Sequence, residues 1–427
     1  MKTEGHRNFI KFCFHPCPLC HLCTIKGAPM PKPTPFHSRT AELVESYDWL
    51  IWSGYLSANA YELEHTHEYN AVRTSAGVFD ISPLYKYYVD GPDAAALLDR
   101  VLTRDMSKLR VGQVAYTTWC DDDGKIIDDG TVARLDEALY RLTAADPTQG
   151  WLEDNAAGLD VHIEDVTERF GGVSVQGPTS RAILQQVVKE DLSALKYFRL
   201  IQTEIAGVPV VLSRTGYTGD LGYEVFVERH NALALWDRLM DAGEPYNLRP
   251  MGNLALDMTR IEAALLLTDV DFISSKKTMF DVQKSTPLEL GLGWTVKLDK
   301  PYFVGQAALK KEQARGSREV TVGLELDIPA LEGLYARFGM PLHLPYSSET
   351  GSVPVYADAR RQKRTGKSTS RTWSPILKKY VAIARVEPRY AALGARVFVE
   401  VTIEAHRLAV PANVVEMPFF NPERKRT

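Results

Sequence analysis

The chain has 427 residues, enough for two or three domains with substantial cores. Its 45% hydrophobic and 24% charged residues are the make-up of a globular protein in water. A net charge of −4 gives no general pull toward nucleic acid or anionic membrane, and no apolar run reaches the roughly 18 residues of a membrane span, so neither is expected as a partner.

Four of the five cysteines fall in CFHPCPLCHLC, residues 13–23. Cys17, Cys20 and Cys23 are spaced C-x2-C-x2-C with His15 and His21 close by, a spacing that zinc or an iron–sulfur cluster could use. The bland alternative is an untidy, disordered N-terminal extension over residues 1–37, with Met30 opening a plausible later start. A secretory leader fits poorly, because His15, Pro16, Pro18 and His21 interrupt the apolar core and no small-residue cleavage site follows. With Cys120 alone in the body, a reduced, cytoplasmic setting is expected.

An internal echo organises the first half. VDGPDAAALL (89–98) and VQGPTSRAIL (175–184) both read strand, Gly-Pro, then helix, with Asp93 or Thr179 placed to accept orphan backbone N–H groups. A further helix is predicted over Asn231–Ala242, with Leu235, Leu239 and Met240 on its buried face and Gly243 as its stop. An α+β body spanning 38–300 follows from these units. After about Glu319 the runs VTVGLEL, YVAIARV and ARVFVEVTI predict a separate β-domain over 318–420, a barrel or jelly roll. The polar stretch 347–372 between them, with Arg360, Arg361, Lys363 and Arg364, reads as a solvated loop.

Two stretches suggest chemistry. In DDDGKIIDDG (121–130) the leading aspartates and Gly124 make a turn, and a strand then carries Asp128 and Asp129. With a side-chain period of two, Ile127, Asp129, Thr131, Ala133 and Leu135 share the more apolar face, so Asp129 is expected inside and Asp128 in water. A carboxyl on an apolar face has a raised pKa unless paired, which suits proton handling or stabilising a developing cation; the bland alternative is an edge-strand charge. In RTGYTGDLGYEVFVE (214–228), Gly216, Gly219 and Gly222 permit a backbone path close to something bound. Glu224 shares a face with Phe226, so a heteroaromatic ligand with adjacent ring N–H and amino donors would suit it; otherwise Glu224 is a wet residue of a hairpin.

Taken in order, EYNAVRTSAGVFDIS (68–82), YTTWCDDDGKIIDDG (116–130), VQGP (175–178), RTGYTGDLGYEV (214–225), ALDMTRIEAALLL (255–267), LGWTVKLDKPYFVGQAAL (292–309) and TSRTWSPILKKYVAIARV (369–386) resemble the glycine cleavage T-protein (aminomethyltransferase) family of tetrahydrofolate-dependent one-carbon transferases. The resemblance spans roughly residues 60–420. It implies a three-domain cloverleaf around a central folate cavity, with a C-terminal β-barrel or jelly-roll domain. It also implies Asp129 as the catalytic aspartate, Tyr116 and Tyr217 as ring contacts, Glu224 at the pterin edge, tetrahydrofolate as cofactor and no metal.

This chain departs from the family pattern at Ser82-Pro83-Leu84, at Ala145, where an asparagine contacts the pterin, and at Leu256, where an arginine stands, while Arg260 and Glu262 are kept. Relatives with such changes include folate-dependent demethylases and the folate halves of dimethylglycine- and sarcosine-oxidising enzymes. The expectation is therefore transfer of a one-carbon unit from a small methylated or aminomethyl donor to tetrahydrofolate. Demethylation of an N-, S- or O-methyl compound and aminomethyl transfer from a lipoyl carrier protein are the rivals. A folate-binding assembly or repair factor for iron–sulfur proteins is the alternative of another class. It would need a cysteine in the stretch corresponding to KPYFVGQAAL, which has none.

Overall fold

Residues 30–427 are described by a computed structural model; the cysteine and histidine cluster at 13–23 lies outside the described residues. The extension expected to run to residue 37 enters the fold earlier than that. Lys32 bridges to Tyr55, Phe36 is fully buried with its ring 5.8 Å from that of Trp236, and a short helix starts at His37. A phenylalanine that can fill a gap under the helix Ala232–Gly243 pulls its segment in with it.

The two Gly-Pro echoes lead into helices on two different sheets. VDGP follows the strand Tyr85–Asp90 of a five-stranded antiparallel sheet, ordered Val114–Cys120, Ile126–Arg134, Leu139–Ala144, Tyr85–Asp90, His162–Asp165. VQGP follows Phe170–Gln176 of a six-stranded sheet, ordered Leu200–Ile205, Val208–Ser213, Gly222–Glu228, Phe170–Gln176, Ala76–Asp80, Leu248–Pro250. Gly91 and Gly177 have nearly the same φ, 123° and 129°, and a Cβ there would lie 2.8 Å and 2.5 Å from a backbone oxygen. Glycine is required at both corners. Neither Asp93 nor Thr179 caps its helix: Asp93 instead accepts the Asp160 N–H at 2.9 Å, and the Thr179 hydroxyl is buried without a partner.

The third helix runs Ala232–Gly243, burying Leu235, Trp236 and Leu239. Gly243 is part of it rather than its stop, because a Cβ there would meet Leu248 at 2.3 Å; the chain turns at Asn247, with φ 54°. Beyond residue 319 the strands close into a six-stranded barrel, ordered Val320–Leu326, Lys379–Val386, Arg364–Ser374, Val353–Tyr356, Arg396–Ile403, His406–Val415. The polar stretch 347–372 is therefore mostly strand, although Arg360 and Arg361 at its turn are exposed as expected. It reads as loop because Thr365, Ser368, Thr369, Ser370 and Thr372 carry no apolar alternation, yet all are buried.

Two of them, Thr369 and Ser370, meet an ionic junction. Asp271 accepts the hydroxyls of Thr369 (2.5 Å) and Ser370 (2.7 Å) from the barrel and pairs with Arg260 at 2.5 Å. Two residues along the same helix, Asn253–Glu262, Glu262 accepts Tyr69, Arg73 and the barrel's Ser374. Asp271→Ala would leave the Arg260 guanidinium, 1% exposed, short of its closest counter-charge. We expect a loss of about 3–5 kcal/mol, read as a lower urea midpoint, whereas Ser370→Ala should cost about 1 kcal/mol.

Candidate active site

The two sheets, the helix Asn253–Glu262 and the loops beside the barrel enclose a cavity of about 1500 Å³. Asp129, Tyr116, Tyr217 and Glu224 all line it. Each comes from a different local cause.

The strand Ile126–Arg134 is bulged where it meets its neighbour: Trp119 pairs with Asp128, but Cys120 pairs with Ile126. Ile126 and Ile127 are therefore both buried, in two different clusters, and the simple period-two reading breaks at that point. Both faces of this strand are inside. One face, with Trp119 and Val132, packs against the helix Ala94–Val101; the other, with Tyr116 and Thr131, looks into the cavity.

Asp128 lies on the first face and is fully buried, contrary to the expectation that it meets water. Its carboxylate accepts the backbone N–H groups of Asp129 (2.8 Å), Ala145 (3.0 Å) and Asp146 (2.8 Å), pinning the loop after the strand Leu139–Ala144. Asp129 lies on the cavity face and accepts the Tyr116 hydroxyl at 2.6 Å. Burial pushes both carboxyls up, Asp129 to about 6. The two adjacent carboxyls share the proton that the pair takes up near neutrality, and Asp129 is the member that lines the cavity.

Tyr116 stacks at 5.7 Å on Trp294, and burial lifts its phenol well above the usual range, so it serves Asp129 as a donor. Tyr217 donates to the Leu266 carbonyl, which fixes its ring on the cavity wall. Above the turn that starts the strand, Gly124 has φ 70° and packs under Leu309. The segment lacking a cysteine, around Gly305 and Gln306, is the cover of that turn: Gln306 is buried and donates to Leu298 and Lys300.

Glu224 sits on the strand Gly222–Glu228 with one carboxylate oxygen accepting the Thr215 hydroxyl at 2.6 Å. Among the described residues its other oxygen has no donor. Burial raises the Glu224 carboxyl, and Thr215 and the nearby Arg141 oppose that rise. Of the glycines before it, Gly216 lines the cavity, yet what requires glycine at these positions is protein packing. A Cβ at Gly216 or Gly222 would strike the Gln176 amide at about 2 Å, and one at Gly219 would strike Ala263 at 2.5 Å. They let a protein side chain, Gln176, reach under the strand, where it donates to Ser174 and Thr215.

Arg141 is the residue that sequence reasoning missed. It is 3% exposed and has no carboxylate within 4 Å among the described residues. Its guanidinium lies 3.7 Å over the Phe226 ring, two residues from Glu224 on the same strand face, and burial pushes its pKa down to about 10. The signal was its place in YRLTA: Tyr140, Leu142 and Ala144 form the buried apolar face, which turns Arg141 toward the opposite sheet. Three family departures also reach the wall: Leu84 and Leu256, which both pack on the Tyr69–Phe79–Met258 cluster, and Ala145, whose N–H serves Asp128.

Comparison with known proteins gives a consistent result. Residues 35–300 match the family model described as the GCVT N-terminal domain, and 345–421 that of the glycine cleavage T-protein C-terminal barrel domain. The chain is 36% identical over 411 residues to a trimethylamine-oxide aldolase of Ruegeria pomeroyi, covering 93% of this chain but only 48% of that protein. It is 34% identical over 364 residues to an aminomethyltransferase of Caldanaerobacter subterraneus, covering 84% and 88%. Against the aminomethyltransferase of Bacillus subtilis it is 34% identical over 359 residues, covering 83% and 90%. The fold matches the crystal structure of the glycine cleavage system aminomethyltransferase T from Bartonella henselae, with a TM-score of 0.77 at 23% identity over 92% of this chain and 98% of that one.

Proposed function

Since the chain belongs to the glycine cleavage T-protein family of one-carbon transferases, we propose that it passes a one-carbon unit from a small methylated donor to tetrahydrofolate. The observation that carries this reading is that Asp129 and Glu224 share one cavity, each with carboxylate oxygen left for a ligand. A carboxylate with a spare acceptor on an otherwise walled-in strand suits a flat heterocycle that offers adjacent N–H groups, as a pterin does.

In this reading Glu224 receives those donors and fixes the ring's rotation, with Arg141 behind it holding the carboxylate charged. Tyr116 and Tyr217 wall the ring. Tetrahydrofolate supplies the nitrogen that accepts the carbon. As the donor's bond to the one-carbon unit breaks and its remainder leaves with the electron pair, Asp129, oriented by Tyr116, takes the proton that nitrogen releases, and its negative charge lies beside the positive charge that develops on the transferred group. Most of the acceleration comes from holding two reactants in one enclosure.

Of the possible donors, a methylated compound is favoured by the apolar replacements Ala145 and Leu256 on the wall, and by the similarity to a trimethylamine-oxide aldolase. Aminomethyl transfer from a lipoyl carrier protein is the second reading, supported by the aminomethyltransferases that match along nearly their whole length.

Asp129→Asn is expected to bind tetrahydrofolate with little change and to lose roughly 100-fold or more in kcat. Wild-type kcat/KM should fall as pH drops through about 6, where Asp129 takes up its proton, and this inflection should be missing from the residual activity of the Asn variant. Because the folded-state pKa of Asp129 is raised, stability is fully present below the unfolded value near 3.8 and is lost as pH rises through 6. Asp129→Asn should therefore melt higher than wild type at pH 7.5, with the gain shrinking toward pH 4. Arg141→Met should weaken tetrahydrofolate binding roughly tenfold at pH 7 while moving kcat little, with partial recovery in Arg141→Lys, as isothermal titration and steady-state kinetics would show.

A further inference from the structure

At about 1500 Å³ the cavity exceeds the roughly 300–1,000 Å³ that encloses one drug-sized ligand, so a pterin on Glu224 leaves space for a second reactant. Arg141 marks the Glu224 end. Three residues farther along the same strand, on the order of 10 Å away, Ala144 marks another end with different chemistry.

There the two-residue turn Ser53-Gly54, both with positive φ (49° and 82°), ends a hairpin in which Trp52 pairs with Tyr55, and it brings Trp52 to the cavity. Tyr85, paired with Ala144, has its hydroxyl close enough to Ser53, Asp146 and Lys277 for each to bear on its titration. Asp146 accepts Lys277 at 2.8 Å through one oxygen, while its other oxygen is buried without a hydrogen-bond partner among the described residues. Lys277 is shared with Asp269 at 2.5 Å. Asp146 and Asp269 thus share one ammonium group, while Asp129, Trp52 and Tyr85 line the same cavity.

We infer that this end holds the one-carbon donor, and that the donor is a small methylated ammonium cation; the inference rests on the folate reading for the identity of the other reactant. The cation lies against the faces of Trp52 and Tyr85, with its charge toward the spare Asp146 oxygen and Asp129. Methyl groups around a positive nitrogen are weakly hydrated, so they lose little on entering an aromatic corner and gain the attraction of ring faces and carboxylates. An anionic donor would add a further negative charge where two carboxylates already share one ammonium group. A neutral one would leave the excess of carboxylates uncompensated.

The test titrates choline and its uncharged carbon isostere, 3,3-dimethyl-1-butanol, into the full chain by calorimetry, with and without saturating tetrahydrofolate. We expect choline to bind at least tenfold more tightly than the isostere. Trp52→Leu and Asp146→Asn should each weaken choline by roughly threefold to thirtyfold, with recovery in Trp52→Phe and no change in tetrahydrofolate affinity. Equal binding of the two probes, or choline binding unmoved by both substitutions, would overturn the inference. Choline discrimination without any tetrahydrofolate binding would uphold the cation site and sink the folate reading instead.

Discussion

The cavity exists because one helix carries two buried charges that reach in different directions. Arg260 and Glu262, on the helix Asn253–Glu262, are 1% and 0% exposed. Arg260 pairs with Asp271 and Asp257 and reaches the barrel through Ser370; Glu262 takes Arg73 and Tyr69 from one side and Ser374 from the other. Removing such charges from water is expensive, and the expense is offset only when every partner stands at hydrogen-bonding distance. That demand fixes how the barrel sits on the two sheets, and with it the cavity's outline. The loop whose Leu266 carbonyl accepts the Tyr217 hydroxyl is itself held by this junction, through the Leu267 N–H on Asp271 and Arg260 on the Leu265 carbonyl.

The same logic, left incomplete, makes the site reactive. Around Arg260 every charge is answered, and the structure is rigid. Around Asp129 and Glu224 the answering is partial: one hydroxyl each from the protein, with the rest of the carboxylate turned to the cavity. Asp128 sharpens the contrast, because three backbone N–H groups answer its carboxylate on the face turned away from the cavity. Folded stability is spent here on carboxylates that only a bound ligand completes.

The N-terminal helices and strands illustrate how far local rules reach. The Gly-Pro corners are legible because a positive φ at Gly91 and Gly177 excludes other residues whatever packs nearby. The end of the helix at Gly243 is not, because that glycine answers to Leu248, a contact made only after folding. The demand for glycine at Gly216 and Gly222 is not legible for the same reason: Gln176, which they accommodate, is about 40 residues upstream and belongs to the neighbouring strand. Asp128 and Asp129 were assigned to water and interior by alternation, but a bulge and two buried faces changed what each side means.

The sequence by itself determined the family, the α+β body with a terminal β-domain, the turn at 121–124 and the residues that reach the cavity, because local backbone preference and ordered motifs survive without knowledge of packing. Tertiary structure alone decided that Asp128 is a buried structural carboxyl, that Arg141 stands behind Glu224, that the polar strand Arg364–Ser374 is interior, and that Trp52, Tyr85 and Asp146 share one end of the cavity. Those outcomes depend on which distant groups supply donors and counter-charges, and a buried charge can be placed only where both ends of the pair are known.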